Sequence, residues 1–380
     1  MRQMERRSFL KCLGCGAGAV VAVDLLPDFL GLVNRASAST LRKGLSTVEA
    51  RHYRKLPSGD IECGLCPRHC RVEDSERGFC GVRENDNGTY RTLVYGLPCA
   101  INIDPIEKKP FFHFYPGTTA LSIATVGCNV NCKFCQNWEI SQSRPEETQH
   151  YEYSPAAFVD ECKSRGISNI AYTYSEPTVD FEYIIDIASL GRQAGIRSVV
   201  VSNGFIEEAP LAALLEVVDA YKVDLKSIRA DYYRNVVRGE LKPVLRTIAQ
   251  IRKSDVWLEL VTLIVPTLND SDAEFTELSR WVKTNLGPDV PLHFSQFHPE
   301  YLLPNLPITP QKTLERALEI ARAEGLQYVY LGNLPGHPSE STHCPKCNEL
   351  VVERRGFKII QNSLKSSCCP KCGWNIPGRF

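Results

Sequence analysis

Three cysteines within eight residues constrain this chain more than any other feature: Cys128, Cys132 and Cys135. They follow the apolar run Ala120 to Val126, which has the composition of a buried strand. Closely spaced thiolates favour an iron-sulfur cluster or zinc over hard cations. A cubane cluster usually takes four cysteine ligands, so three would leave one iron able to bind another molecule. The spacing therefore predicts a [4Fe-4S] cluster with an open iron, and a zinc knuckle completed by a distant cysteine is the alternative.

The composition excludes several classes of protein. The 380 residues are 43% hydrophobic, which is enough for a sizeable core in two or three domains. There are 44 basic and 44 acidic residues, so no net charge attracts nucleic acid and we expect no nucleic-acid partner. Most of the sixteen cysteines lie in tight groups, and this spacing favours reduced, metal-bound thiols over disulfides.

From residue 120 onward, β-branched runs alternate with amphipathic stretches, which predicts parallel strands joined by helices. The expected strands are Leu121-Val126, Asn169-Tyr174, Arg197-Ser202, Ala220-Leu225, Trp257-Val265, Pro291-Phe297 and Tyr328-Gly332. The expected helices are Ser154-Arg165, Val179-Ala194, Lys242-Lys253, Asp272-Asn285 and one that begins at a capping Thr309 and ends before Gly325. These six or seven units predict an α/β fold, a partial (β/α) barrel with its active site at the C-terminal strand ends.

Polar residues follow five of these strands. They are Tyr174-Ser175-Glu176, Ser202-Asn203-Gly204, Asp224-Leu225-Lys226, Pro266 to Asp270 and His298-Pro299. Each alone is typical of a turn or of a solvated strand end. Because the ends of parallel strands meet at one mouth, these groups and the triplet could together hold a ligand that carries an amine, a carboxylate and a ribose.

Two further segments precede the barrel. The first contains Cys63, Cys66, Cys70 and Cys80, and its Cys-x2-Cys limb is typical of metal sites. Four ligands would close the site, so we expect structural zinc, with a second cluster or no metal as alternatives. The second segment, Asp104 to Gly117, is rich in proline and aromatic rings and is expected to pack across the barrel entrance.

Two Cys-x2-Cys pairs near the C-terminus, Cys344 with Cys347 and Cys369 with Cys372, are separated by 21 residues. This spacing predicts a zinc ribbon whose limbs lie on hairpin turns. Cys369 rather than Cys368 preserves the two-residue spacing of the second pair. A redox function is the alternative, which is disfavoured because no helix-forming run follows either pair.

From about Cys63 to the C-terminus, the chain resembles the radical S-adenosylmethionine (SAM) member of the AmmeMemoRadiSam system. That family is itself similar to pyruvate formate-lyase activating enzymes. The resemblance rests on Cys128 to Trp138, Tyr174-Ser-Glu-Pro, Val223-Asp-Leu-Lys226 and Asp104-Pro-Ile-Glu-Lys-Lys-Pro. It implies that SAM binds the open iron through its amino and carboxylate groups.

The resemblance also implies individual SAM contacts. Ser175 and Glu176 match a stretch that offers groups to the SAM amine, and Lys226 matches a lysine that meets the carboxylate. His298 matches a later histidine beside SAM, and Asn203 lies at a neighbouring strand end. Activating enzymes carry Asp-Thr-Asn-Gly where this chain has Val201-Ser-Asn-Gly, so an acidic SAM contact is missing.

The N-terminus has the features of a twin-arginine signal. Arg6-Arg7-Ser-Phe-Leu-Lys precedes a weakly apolar stretch and a candidate cleavage site at Ala36-Ser37-Ala38. The apolar stretch is shorter than the about 20 residues of a membrane-spanning helix, so no transmembrane segment is expected. An ordinary basic helix is the alternative. SAM and low-potential electrons are cytoplasmic, so the chemistry favours the cytoplasm, whereas the signal favours export or membrane association.

The sequence therefore predicts a radical SAM enzyme. It would reductively cleave SAM to a 5'-deoxyadenosyl radical, with flavodoxin or ferredoxin as the one-electron reductant and a substrate that could be a protein. A glycyl-radical activating enzyme and a non-catalytic iron-sulfur or zinc module are the alternatives. We expect a signal segment at residues 1–40, a cysteine-rich segment at 41–118, the barrel at 119–335 and the zinc ribbon at 336–380.

Overall fold

The computed structural model describes residues 44 to 380. The predicted signal segment, including Arg6 and Arg7, lies outside these residues. The described part of the chain contains no helix that is long and apolar enough to cross a membrane. Along the chain, two small antiparallel sheets are followed by a large, mostly parallel sheet and then by a third small antiparallel sheet.

The two small N-terminal sheets surround the first group of cysteines. Their strands are β1 (Val48–Glu49), β2 (Tyr53–Lys55), β3 (Ile61–Cys63), β4 (Arg71–Val72), β5 (Arg83–Asp86) and β6 (Thr89–Thr92). One sheet has the order β1-β6-β5 and the other the order β2-β3-β4. Strands of two to four residues bury little surface by themselves, so this segment depends on its packing against the rest of the chain.

An eight-stranded sheet forms the centre of the molecule. Its strands are β7 (Ala100–Pro105), β8 (Thr119–Ala124), β9 (Asn169–Tyr172), β10 (Arg197–Ser202), β11 (Ala220–Asp224), β12 (Trp257–Ile264), β13 (Leu292–Gln296) and β14 (Val329–Gly332). Strands β8 to β14 are parallel and adjacent in chain order, whereas β7 pairs antiparallel with β8. The sheet does not close between β7 and β14, which confirms the predicted partial barrel.

Helices connect the parallel strands. They are α1 (Trp138–Ser141), α2 (Pro155–Ser164), α3 (Phe181–Gln193), α4 (Glu208–Leu215), α5 (Ala230–Tyr232), α6 (Leu241–Arg252), α7 (Asp272–Leu286) and α8 (Gln311–Ala323). The five predicted helices are present, but the capping function predicted for Thr309 is wrong. Helix α8 has Pro310 at its N-cap, and the buried Thr309 hydroxyl donates instead to the Ile264 carbonyl at 2.5 Å.

The aromatic segment between β7 and β8 lies at the end of the barrel opposite to the predicted one. Phe111 and Phe114 are buried in one cluster with Ala120 and Ala220, which are at or near the first positions of their strands. Because β7 runs antiparallel to β8, its last residues lie beside the start of β8. The segment therefore lies at the N-terminal end of the barrel rather than across its entrance, although Lys109 and Phe112 of the segment line the cavity inside the barrel.

The C-terminal residues form a three-stranded antiparallel sheet in the order β15-β16-β17. Its strands are β15 (Thr342–His343), β16 (Leu350–Arg355) and β17 (Lys358–Asn362). Val351 and Val352 of β16 are buried with Phe112 and Tyr330 of the barrel. Arg354 also donates to the Phe112 carbonyl at 2.6 Å. These contacts fix the C-terminal sheet against the barrel.

A buried ion pair joins the N-terminal sheets to helix α3. The Arg83 guanidinium lies 2.5 Å from the Glu182 carboxylate, and the two side chains are 1% and 2% exposed. Replacing Glu182 with alanine would leave a buried cation without its partner, so we expect a loss of about 3–5 kcal/mol in the free energy of unfolding. Urea denaturation of the variant, followed by far-UV circular dichroism, measures this loss.

The control is Glu62→Ala. Glu62 pairs with Arg54, but the Arg54 side chain is 68% exposed. A solvated pair contributes about 0–1 kcal/mol, so this variant should unfold close to wild type. Equal losses in the two variants would contradict the prediction that the buried pair joins these two parts of the chain.

Candidate active site

The cysteine triplet lies in the loop after β8, at the C-terminal end of the parallel sheet. A cavity of about 580 Å³ opens there, a volume typical of small-molecule sites. Its wall contains all three cysteines of the triplet and four of the five side chains predicted to contact SAM, which are Ser175, Glu176, Asn203 and Lys226. The fifth, His298, is exposed and is not among the residues that line this cavity.

Backbone hydrogen bonds hold the triplet loop against a π-helical turn at Tyr233–Val237. The Asn131 amide donates to the Val237 carbonyl at 3.2 Å, and the Lys133 amide donates to the Val236 carbonyl at 3.0 Å. Burial raises the pKa of the Cys132 thiol to about 12, and the charge of Lys226 opposes that shift. A metal bound here would therefore have to displace a tightly held proton.

The spacing of the triplet sulfurs differs from that of ligands to a single ion. Among residues 44 to 380, only the C-terminal cysteines form a group of three or more potential ligands whose atoms all lie within 4.8 Å of one another. In an iron-sulfur cluster each thiolate binds a different iron, so the cysteine sulfurs stand farther apart than the ligands of one ion. The triplet therefore fits a cluster better than it fits a zinc knuckle.

Glu176 connects the loops that follow β9 and β10. Its side chain is 2% exposed, and its Oε1 accepts from the Thr178 amide, the Thr178 hydroxyl and the Ser202 hydroxyl at 2.7–3.0 Å. Its Oε2 accepts from the Asn203 amide at 2.9 Å. A carboxylate has about four acceptor positions, so these four donors occupy most of its capacity. In this arrangement Glu176 positions its neighbours, and the direct SAM contact remains a prediction.

Asn203 lies between the triplet and the β10 loop. Its Nδ2 donates to Asn129 Oδ1 at 2.9 Å and lies 3.7 Å from the Cys128 sulfur. The backbone beside it needs glycine, because Gly204 has a φ of +72° and a Cβ there would come within 2.8 Å of Val223. Ser175, at the next strand end, donates to the Thr125 carbonyl at 2.6 Å.

Lys226 supplies a partly buried positive charge in the cavity wall, with its side chain 12% exposed. Its ammonium lies 3.2 Å from Asp224 Oδ2, and the Lys222 ammonium lies 3.0 Å from Asp224 Oδ1. Burial by itself would lower the pKa of Lys226, but the charges of Asp224 and Cys132 outweigh it and raise this pKa above its usual value. A lysine that stays charged at this position is suited to a ligand carboxylate.

A second polar group in the cavity was not predicted as a site. The Lys109 ammonium and the Tyr174 hydroxyl each lie 2.5 Å from Asp104 Oδ2. Burial lowers the pKa of Lys109 to about 8, against the opposing effect of Asp104. A lysine with this pKa can exchange a proton near neutral pH. The stretch Asp104-Pro-Ile-Glu-Lys-Lys-Pro could have indicated this polar group. It precedes the repeating strands and helices in the sequence, so the sequence did not predict that it lines the cavity.

The two outer cysteine groups differ in geometry. Cys344, Cys347, Cys369 and Cys372 converge, with 3.5 Å between the sulfurs of Cys344 and Cys372 and 3.6 Å between those of Cys347 and Cys369. Cys368 is not part of this group. Cys63, Cys66, Cys70 and Cys80 instead line a small cavity whose wall also includes Asn129 of the triplet loop.

Comparisons with known proteins agree with this geometry. The Radical SAM superfamily model matches residues 122–281. An uncharacterized protein of Methanocaldococcus jannaschii, MJ0808, is 45% identical over 330 residues, which cover 86% of this chain and 98% of that protein. A putative glycyl-radical enzyme activating enzyme of the same organism, MJ1227, is 24% identical over 178 residues, or 44% of this chain and 70% of that protein.

Among solved structures, a domain of the pyruvate-formate lyase-activating enzyme from Bacteroides vulgatus is similar to this chain. It is 14% identical, and the match covers 43% of this chain and 98% of that domain with a TM-score of 0.39. The region that the family model matches includes the cysteine triplet and the ends of β9, β10 and β11 that line the cavity with it. Residues 122–281 therefore form a domain of the Radical SAM superfamily.

Proposed function

We propose that this protein binds a [4Fe-4S] cluster through Cys128, Cys132 and Cys135 and cleaves SAM reductively. The 5'-deoxyadenosyl radical would then abstract hydrogen from a substrate. The observation that carries the proposal is the meeting of three cysteines and a partly buried lysine in one cavity of about 580 Å³. With three protein ligands, one iron position stays available to the amino and carboxylate groups of SAM.

The residues of the cavity have separate tasks in this proposal. Lys226 would hold the SAM carboxylate, since it remains charged and its Asp224 partner is also neutralised by Lys222. Ser175 and Asn203 would provide polar contacts from neighbouring strand ends. Glu176 would fix the loops that carry Ser175 and Asn203, because its oxygens accept hydrogen bonds from residues after β9 and at the end of β10. The walls of the barrel cavity would limit the access of water to the radical.

The supply of electrons and the location follow from this chemistry. We propose flavodoxin or ferredoxin as the one-electron reductant. The chemistry favours the cytoplasm as the site of action. The twin-arginine-like segment is the argument for the alternative, which is export or membrane association. A function in an AmmeMemoRadiSam system is proposed from the resemblance at Cys128 to Trp138 and Val223 to Lys226. A protein is one candidate class of substrate. Residues 1–40, 41–118, 119–335 and 336–380 are the proposed domains.

Glycyl-radical activation is the second candidate function. It is supported by the similarity to the putative activating enzyme of M. jannaschii. Against it, Val201 lines the cavity where activating enzymes carry an acidic residue. The two functions differ in the fate of the radical, since activation would leave a stable glycyl radical on a partner protein that electron paramagnetic resonance (EPR) detects.

Formation of 5'-deoxyadenosine tests the proposal. Anaerobically reconstituted protein is incubated with dithionite and SAM, and the nucleoside is quantified by liquid chromatography and mass spectrometry. We expect production that depends on both the reductant and SAM. If protein with an intact cluster forms no 5'-deoxyadenosine, with or without candidate partners, the non-catalytic metal module becomes the better explanation.

Lys226→Ala should separate SAM binding from cluster assembly. The loss of a hydrogen bond to a charged group predicts SAM binding weaker by about 1.5–3 kcal/mol, with the iron content unchanged. Equilibrium dialysis with labelled SAM measures the affinity. The control is Lys242→Ala, because Lys242 is exposed on α6 and is not a cavity residue. Equal affinities in the two variants would exclude a carboxylate contact at Lys226.

A further inference from the structure

The four N-terminal cysteines line one small cavity that is separate from the cavity at the mouth of the barrel. Cys63 and Cys66 are buried, and Cys70 and Cys80 are partly buried. The cavity wall also contains two arginines, Arg68 and Arg83. Four thiols around one cavity, with two cations beside them, indicate a site for an anionic metal-thiolate group.

The sulfur spacing distinguishes the two metals that such a site could hold. A tetrahedral zinc ion requires four sulfurs at about 2.3 Å from one centre, so the sulfurs must also lie close to one another. The C-terminal cysteines meet this condition, whereas within residues 44 to 380 no three of the N-terminal four have all their sulfurs within 4.8 Å of one another. The N-terminal four thus resemble the triplet, which is the proposed cluster site.

Arg83 provides a second, independent observation. Its side chain is 1% exposed and contributes to the cavity wall. One nitrogen pairs with Glu182, but Nε and Nη1 are buried and have no hydrogen-bond partner among the residues that the structure describes. Buried donors of this kind are costly unless something accepts their protons. The bridging sulfides of a cluster are acceptors that a lone zinc ion does not bring.

We propose that Cys63, Cys66, Cys70 and Cys80 hold a second [4Fe-4S] cluster rather than the structural zinc predicted from the sequence. The Phe79 amide already donates to the Cys70 sulfur at 3.4 Å, a type of contact that tunes iron-sulfur potentials. Four protein ligands leave no open iron, so this cluster does not bind SAM. The cluster would gain one electron from a low-potential one-electron donor and lose that electron again when it is oxidised.

The segments that carry the two cysteine groups pack closely against each other. A Cβ on Gly127, the residue before Cys128, would come within 3.0 Å of the Cys80 carbonyl, and Gly127 has a φ of +103°. Arg68 donates to the carbonyl of Asn129 at 2.5 Å, on the other side of Cys128. A cluster held by the N-terminal cysteines would therefore lie close to a cluster held by the triplet.

Metal analysis of a variant without the triplet tests the inference. The triple substitution Cys128→Ala, Cys132→Ala and Cys135→Ala removes the first cluster site. After anaerobic reconstitution, we expect about four iron and about four acid-labile sulfide per chain. Dithionite should produce the EPR signal of a reduced cluster, and SAM should leave that signal unchanged. Zinc in the place of iron, or iron without sulfide, would overturn the proposal.

Two further measurements exclude adventitious iron. Mössbauer spectra of the triple variant distinguish a cubane cluster from loosely bound iron. This measurement needs no further variant, so it does not depend on whether one folds. In the same background, adding Cys63→Ala and Cys66→Ala should abolish the bound iron and sulfide, whereas adding Cys99→Ala and Cys162→Ala should not. Retention of iron and sulfide after removal of Cys63 and Cys66 would contradict the assignment. None of these readouts requires SAM cleavage, so the inference and the proposed function can fail separately.

Discussion

Replacing Cys128, Cys132 or Cys135 with alanine is expected to abolish the formation of 5'-deoxyadenosine completely. Each cysteine would bind a different iron of a cluster, so the loss of one leaves two protein ligands and no stable cubane. Without the cluster there is no low-potential electron for SAM. The measurement is 5'-deoxyadenosine produced after anaerobic reconstitution with dithionite and SAM, together with iron and sulfide content. Relative to wild type, each variant should lose about four iron atoms per chain.

Cys162→Ala is the matched control for these variants. Cys162 is fully buried on helix α2 and is not a cavity residue, so its loss tests the effect of removing a thiol from the core alone. We expect it to keep wild-type iron content and activity, with a modest loss of stability from the small cavity that it leaves. Activity comparable to wild type in any of the triplet variants would refute the open-iron assignment.

The fold could be predicted because parallel strands have a strong local signature. Strand β10 has the predicted bounds, Arg197–Ser202, and the other six predicted strands differ only at their ends. Strands of this kind are buried on both faces, so their β-branched runs stand out from amphipathic helices. Strand β7 escaped prediction because it precedes the repeating pattern and ends at Asp104-Pro105, which has the composition of a turn.

The candidate site could be predicted in part for a geometric reason. Parallel strands bring their C-terminal ends to one edge, so polar residues after β9, β10 and β11 had to converge near the triplet. What each side chain does there depends on contacts that the sequence does not contain. Glu176 has four donors from three residues, and Lys109 reaches Tyr174 across 65 positions of the chain. Such long-range contacts are set by packing and leave no periodic signal.

The metal at each outer cysteine group also could not be predicted from the sequence alone. Both outer groups have four cysteines with a Cys-x2-Cys limb, and the sequence favoured zinc for both. In the structure only the C-terminal sulfurs converge to within 4.8 Å. The difference comes from the backbone around each group. The turn between β15 and β16 carries Cys344 and Cys347, and a bridged loop after β17 carries Cys369 and Cys372, whereas the N-terminal cysteines lie around a cavity. Spacing along the chain identifies a metal site, whereas the sulfur positions distinguish one ion from a cluster.

Replacing any one of Cys344, Cys347, Cys369 or Cys372 with serine should release about one zinc ion per chain. Structural zinc in small peptides contributes roughly 10–16 kcal/mol to folding at neutral pH, and a three-stranded sheet of this size has little core of its own. We therefore expect residues 336–380 to become sensitive to protease while the barrel stays folded. Zinc is measured by mass spectrometry of the metal, and cleavage by limited proteolysis.

Cys368→Ser is the control that separates ligand loss from the loss of a thiol. Cys368 is adjacent to Cys369 in the chain, yet its sulfur lies outside the group of four. It should retain zinc and resist protease as wild type does. The turn of β16 and β17 contributes Gly356 and Phe357 to the wall of the barrel cavity, so unfolding of this sheet would also open that wall. Unchanged zinc content in all four cysteine variants would show that these sulfurs converge without binding the metal, and the C-terminal sheet would then owe its order to its packing against the barrel, which includes the contacts to Phe112 and Tyr330.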